Sequence, residues 1–314
     1  MRRRHRAWSA AVAAAAAVGV ALLTSACSTS FAFGLGDPGG RVLAVGAENQ
    51  YADVISQVGG KYVLVNAILS NPNTDPHAFE ASAAVGRELN QAQLVVQNGL
   101  GYDEFMNTIE DAVPNSSRKV IVVQKLLGLP DSTPNPHLWY QPGTMPAVAN
   151  AIAAGLAAIQ PGHAAYFKAN AATFIKSLDT WDSAIAAFRA SDPGTPVATT
   201  EPVADYLLQA LGADNLTPWA FQAAIMNGTD PSAQDVAAER NLFTQHKVKA
   251  LVYNQQVTDS LTESFISLAK ANGIAVVGVY ETMPEPGYAY QSWMQAEVQA
   301  LHDAITNHKD TEHL

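Results

Sequence analysis

The sequence predicts an α/β protein of two lobes, each built on a parallel sheet flanked by helices, the two joined by one long rigid helix. Three observations lead there. Short, continuous apolar runs rich in Val, Ile and Leu alternate with helical stretches; the runs fall into two sets; and a long helical pattern without strands separates the sets. A strand that is apolar throughout, rather than at every second position, is buried on both faces, as in parallel sheets covered by helices.

The first set comprises 41–46 (RVLAVG), 62–68 (YVLVNAI), 94–97 (LVVQ) and 119–123 (KVIVV), with helices predicted near 49–58, 83–92 and 102–112. The second comprises 196–200 (PVATT), 248–253 (VKALVY) and 274–280 (IAVVGVY), with helices near 202–211, 232–246, 258–272 and 288–307. No internal repeat relates the two sets. Between them, Phe174, Leu178, Trp181, Ile185 and Phe188 follow one another at spacings of 4, 3, 4 and 3, which keeps one apolar stripe on a helix. Pro161 suits a helix start, and Ser191-Asp192-Pro193-Gly194 stops it. About 30 residues at the helical rise make a rod of ~45 Å, which reads as an ordinary core helix of one domain or, better, as a stiff connector between two lobes that restricts hinge closure. The expected division is therefore a first lobe at 41–142, a helical connector at 143–191 and a second lobe at 192–314.

Two segments precede the first lobe. Residues 1–26 read as an export signal: Arg2, Arg3, Arg4 and Arg6 open it, and the apolar run Ala10–Leu23 is short for a membrane span. It closes on Leu22-Leu23-Thr24-Ser25-Ala26-Cys27, which resembles a bacterial lipobox, with Thr24 where an aliphatic residue is usual. That resemblance implies cleavage before Cys27 and lipidation of its thiol, so that the mature chain is extracytoplasmic and anchored to the cell membrane. Residues 27–40, rich in Ser, Gly and Pro, read as the tether. Cys27 is the sole cysteine, which excludes an internal disulfide and a thiolate metal site.

At 314 residues, 48% hydrophobic and 15% charged, the chain has material for a large core. Removing residues 1–26 takes away four of 18 basic residues and none of 28 acidic ones, leaving 14 against 28, a formal charge of −14. Such a surface argues against nucleic acid and in favour of cations as ligands.

Of eight histidines, two sit in loops dense with turn residues: His77 in Asp75-Pro76-His77 and His137 in Asn135-Pro136-His137. Proline before each ring stiffens the backbone and lowers the entropy lost on binding. Asp75 and Asn135, two residues upstream, can cap the turn or orient the imidazole. Either histidine alone reads equally well as a capped loop residue; two such tripeptides together favour metal ligation. Glu201 follows the strand PVATT, and Glu281 follows IAVVGVY. Both lie at the carboxyl ends of strands, where open α/β sheets place ligands, although an acid before a helix also serves as an ordinary cap. Separations of 60, 64 and 80 residues exclude a ligand pair on one helix, so the site is assembled between lobes. His163, His246, His302, His308 and His313 are expected at the surface. Trp139 and Trp219 are the aromatics that could line an organic ligand site, with packing the expected role.

These segments together resemble the zinc/manganese-binding lipoproteins of ABC importers, the cluster A-I solute-binding proteins, over nearly all of 41–310. Asp75-Pro76-His77 looks like the first ligand motif of that family and Asn135-Pro136-His137-Leu138-Trp139 like its second. Asn98-Gly99-Leu100-Gly101 with Phe105-Met106, Thr200-Glu201 with Tyr206, and Pro231-Ser232 match further segments. The resemblance implies capture of a divalent transition metal between the lobes and its delivery to a membrane permease by a monomeric, non-catalytic protein. Carried over, His77, His137 and Glu201 are the first three ligands and Glu281 the fourth. Asn135 and Gln141 stand where Asp is frequent, and the His-rich loop common among zinc importers is missing. Two imidazoles and two carboxylates suit either Zn²⁺ or Mn²⁺; a carboxylate at the third position tilts the expectation to Mn²⁺. A metallohydrolase would need an open coordination position and a general base, and no His-Glu-x-x-His is present; a surface adhesin or structural lipoprotein would be indifferent to loss of both histidines.

Overall fold

The computed structural model describes residues 39–72, 79, 82–284 and 287–314. The lipobox, the tether up to residue 38 and His77 lie outside the described residues. Among those described, no helix is long and apolar enough to cross a membrane.

The first sheet contains β1 (Val42–Glu48), β2 (Val63–Leu69), β3 (Leu94–Gln97) and β4 (Lys119–Val122), all parallel, in the order β2-β1-β3-β4. Its helices are α1 (Asn49–Gly59), α2 (Ala83–Gln91), α3 (Glu104–Ala112), the single turn α4 (Val123–Leu126) and α5 (Thr144–Ile159). The second sheet repeats the plan with β5 (Pro196–Thr199), β6 (Asp214–Asn215), β7 (Ala250–Asn254) and β8 (Ala275–Val279) in the order β6-β5-β7-β8. Its helices are α8 (Asp205–Leu211), α9 (Trp219–Met226), α10 (Ala233–Thr244), α11 (Ser260–Ala271) and α12 (Tyr290–Asn307). In both sheets the first strand is central, flanked by the second and the third. Strand order reverses there, and the crevice beyond the carboxyl ends of the strands is where such sheets bind ligands.

The pleat sorts each strand between two cores. In β1, Val42 and Ala44 join one large cluster, whereas Leu43, Val45 and Ala47 join a smaller one closed by Leu89 and Met106. In β7 and β8, Ala250, Val252, Ala275, Val277 and Val279 enter the same large cluster; Leu251, Tyr253 and Val276 face Phe221 and Phe265 instead. The inner faces of the two sheets therefore share one continuous core. Gly46 makes room for it: a side chain there would meet the Ala52 backbone nitrogen at 2.4 Å, so only glycine lets α1 lie so close to β1.

The connector is α6 (Ala164–Ser177) and α7 (Asp179–Ser191), preceded by a 3₁₀ turn at Pro161–His163. A single residue, Leu178, interrupts it, yet keeps right-handed helical dihedrals (φ −79°, ψ −13°), so the apolar stripe runs through unbroken. Phe174, Leu178, Trp181, Ile185 and Phe188 are all buried. The interruption falls where α6, packed on α1 and α5, hands over to α7, packed on α8 and α12. The sequence predicts one uninterrupted rod; the structure has two consecutive helices, one packed on each lobe.

Hydrogen bonds stitch the lobes as well. Tyr140 Oη donates to the Tyr280 carbonyl (2.9 Å), and Asn135 Nδ2 to the Pro202 carbonyl (2.8 Å). Asn49 and Met283 bond reciprocally at 3.0 and 2.8 Å. Tyr290, at the start of α12, donates its hydroxyl to the Trp139 carbonyl (2.5 Å) and its N–H to Asp53 of α1 (2.9 Å), while its ring packs against Trp181 and Phe174 of the connector.

Candidate metal site

His137 opens the 3₁₀ turn Leu138–Tyr140 and is fully buried. Asn135 holds it twice, its Oδ1 accepting the His137 backbone N–H at 3.0 Å and lying 2.8 Å from ring Nδ1. An oxygen that faces Nδ1 makes that nitrogen the donor, which in the neutral ring leaves Nε2 as the acceptor. Tyr102 and Trp139 stand edge-on to the ring, with centroids at 5.8 and 5.4 Å, and prevent it from turning. Asn98 secures the loop by donating to the Pro136 carbonyl at 2.8 Å.

Nε2 faces Glu281 Oε2 of the second lobe at 3.4 Å. Glu281 is wholly buried, two residues beyond the end of β8 on the strand's inward parity. Its backbone is clamped from both sides: Gln256 Oε1 accepts the N–H groups of Glu281 (2.6 Å) and Thr282 (2.9 Å), and Gln50 Nε2 of the first lobe donates to the Glu281 carbonyl (3.2 Å). Asn254, the last residue of β7, donates one Nδ2 to Glu281 Oε1 at 2.6 Å and to Glu201 Oε1 at 3.4 Å. One amide thus spans the two carboxylates of the second lobe. The Tyr102 hydroxyl is a hydrogen-bonding neighbour of Glu281, and burial, with that carboxylate next, pushes it well above the ordinary phenol range.

So the structure brings together His137, Glu281 and, through Asn254, Glu201. His77 and Cys27 lie outside the described residues, and among the described residues no group of three or more His, Cys, Asp or Glu is already set to hold an ion. The remaining histidines are elsewhere: His246, His308 and His313 are exposed, His302 is half-buried on α12, and His163 stacks on Tyr62 at 3.7 Å. Trp139 packs on His137, whereas Trp219 is exposed.

The electrostatics favour a cation. Glu48, Asp103, Glu201 and Glu281 are all buried at the carboxyl ends of the strands. Arg118 is the one buried lysine or arginine among the described residues, and its guanidinium is committed to the Val113 carbonyl at the end of α3. Asp103 is provided for: it accepts the N–H groups of Asn98 (2.5 Å) and Gly99 (2.9 Å), and burial still pushes its carboxyl up to about 6. Asn254, Tyr102 and Gln256 are neutral and carry no ligand signature. Asn254 could have been found by the rule that exposes Glu281, namely the inward parity of an apolar strand carried to its carboxyl end.

Residues 45–304 match the family described as zinc-uptake complex component A, periplasmic. The chain belongs to this family. Among its relatives, the manganese-binding lipoprotein MntA of Bacillus subtilis (strain 168) is 23% identical over 241 residues, covering 73% of this chain and 76% of that protein. The zinc-binding protein TroA of Treponema pallidum (strain Nichols) is 22% identical over 248 residues, covering 76% and 78%. The structure of periplasmic TroA from Treponema pallidum superposes with a TM-score of 0.70 at 20% identity, over 83% of this chain and 97% of that one. A Mn-bound periplasmic metal-binding protein of Candidatus Liberibacter asiaticus does so with a TM-score of 0.70 at 19% identity, over 84% and 100%. The family has the two-lobed architecture of paired four-stranded parallel sheets, and proteins that carry Mn or Zn are among its members.

Proposed function

We propose that this chain is a binding protein, not an enzyme, that captures Mn²⁺ or Zn²⁺ as cargo outside the cytoplasm and delivers it to the permease of an ABC importer. Lipidated Cys27 holds it to the membrane through the tether at 27–40, and it works as a monomer whose two lobes are joined by α6 and α7. Its ligands are His77, His137, Glu201 and Glu281. One observation carries the reading: the His137 ring nitrogen Nε2 faces a buried carboxylate oxygen of the other lobe at 3.4 Å. In the neutral ring with its proton on Nδ1 that nitrogen is an acceptor, and a cation between the two satisfies both. Two ligands about 2.0–2.1 Å from a tetrahedral metal are themselves about 3.3 Å apart. Glu201 adds a second carboxylate, and Asn254, donating to one oxygen of each, keeps the two oriented. A mixed imidazole–carboxylate set of this kind accepts Zn²⁺ and, by raising its coordination number through bidentate carboxylates, Mn²⁺.

The family relationship supports the same reading, since MntA is named for manganese and TroA for zinc. Elemental analysis of protein purified without added metal, with competition titration of Zn²⁺ against Mn²⁺, tests it. One tightly bound equivalent is expected in the native chain and none in the H77A/H137A double variant; stoichiometric binding that survived both changes would overturn the assignment.

A further inference from the structure

We propose that Glu48 is a further carboxylate of the metal site, a third negative charge from the first lobe that faces the ion and favours Mn²⁺ over Zn²⁺. The inference rests on the proposed metal-binding reading and adds a residue to it.

Glu48 is the last residue of β1, the central strand of its sheet, at the point where strand order reverses. Its counterpart in the second lobe is Glu201, which follows β5, the central strand there. The pleat sets Glu48 on the same face as Val42 and Ala44, toward the core shared by the lobes. No part of its side chain reaches solvent, and neither carboxylate oxygen accepts a hydrogen bond from any other described residue; the donor near it is its own backbone N–H. It stands before α1 yet makes no side-chain cap. An ordinary structural acid is provided with donors, as Asp103 is by the backbone N–H groups of Asn98 and Gly99. The charges that act on Glu48 are those of Asp103 and Glu281, both of its own sign, and the Tyr102 hydroxyl that neighbours Glu281 also senses the charge of Glu48. A buried carboxylate with no donor beyond its own backbone N–H and among like charges is strongly unfavourable when ionised. A divalent ion beside Glu281 supplies the missing attraction. A further hard oxygen donor raises coordination number and charge together, which favours Mn²⁺ relative to Zn²⁺.

The test is chelator-competition titration of the full chain with Mn²⁺ and with Zn²⁺, comparing native protein with E48Q, E48D and H137A, alongside melting of the metal-free forms. Glu48→Gln keeps shape and removes charge. The expected result is Mn²⁺ affinity lowered by about 10- to 100-fold, Zn²⁺ affinity lowered less, partial recovery in E48D, and a metal-free melting temperature that does not fall. Mn²⁺ affinity within twofold of native would overturn the inference. So would equal losses in E48Q and E48D with a lower metal-free melting temperature, which assign Glu48 to packing. The two proposals fail separately: if H137A binds as the native chain does, the metal site itself is wrong, whereas abolished binding in H137A with native affinity in E48Q removes Glu48 alone.

Discussion

Replacing Asn135 by Ala tests whether the His137 ring must be held in one orientation to bind metal. Asn135 Oδ1 meets the His137 N–H at 3.0 Å and ring Nδ1 at 2.8 Å, and Nδ2 meets the Pro202 carbonyl across the lobes at 2.8 Å. Three buried hydrogen bonds at about 0.5–1.5 kcal/mol each imply a stability loss of about 2–4 kcal/mol in N135A. Binding should suffer separately, because a ring without its Nδ1 acceptor is free to adopt the other tautomer and to turn. Losing such an orienting partner weakens metal affinity by about 10- to 100-fold, or about 1.4–2.7 kcal/mol. Asn135→Asp separates the effects. It keeps the acceptor and makes the ring a stronger base, but cannot donate to Pro202 and buries a charge against that carbonyl. N135D should therefore bind as tightly as the native chain or tighter, while melting at a lower temperature when metal-free. Thermal melts and chelator competition on the same preparations give both quantities. If N135A melted early but bound within twofold of native, ring orientation by Asn135 would be irrelevant and the role of His137 as a ligand would be undermined.

Away from the site, burial pushes the Glu239 carboxyl from 4.5 up to about 8, against one hydrogen bond from Thr217. Between those pH values the folded chain retains a proton that the unfolded chain has released, so stability falls as pH rises through the window. In urea unfolding of metal-free protein at pH 5 to 8, E239Q should remove up to about 1.4 kcal/mol per pH unit of that decline; an unchanged slope would show that Glu239 is ionised throughout. Tyr140→Phe removes the bond to the Tyr280 carbonyl and another to Glu297 Oε1 (3.2 Å), and should cost about 1–3 kcal/mol. Because the lobes share one core, calorimetry should still record a single transition at lower temperature; two resolved transitions would show that the lobes unfold independently.

Much of the architecture was legible because its strands are buried on both faces and stand out as unbroken apolar runs. All seven predicted strands form, and the seven predicted lobe helices lie within a few residues of their expected ends. The strand β6 was not legible: Asp214–Asn215 is two polar residues at a sheet edge, held by the Thr195 and Val197 carbonyls rather than by any propensity of its own. The helix α9 is apolar on nearly every side and so lacks a period to detect. The break at Leu178 leaves no trace in the stripe because the residue stays helical. At the site, Asn135 orients His137 as its spacing predicts, and Glu201 and Glu281 emerge inward from their strands. Asn254 follows the same inward parity at the end of its strand, whereas Gln256 and Tyr102 could not be read that way, since neutral side chains in loops gain a role only through partners distant in the chain.

Tyr290 has a consequence for mechanics. Its phenol grips the carbonyl of Trp139, two residues beyond the imidazole, its amide grips α1, and its ring is wedged against the rod. Seat and spine are thus bolted through a single aromatic residue. A torque on either lobe reaches the histidine loop directly, and that loop cannot shift without the spine being strained as well.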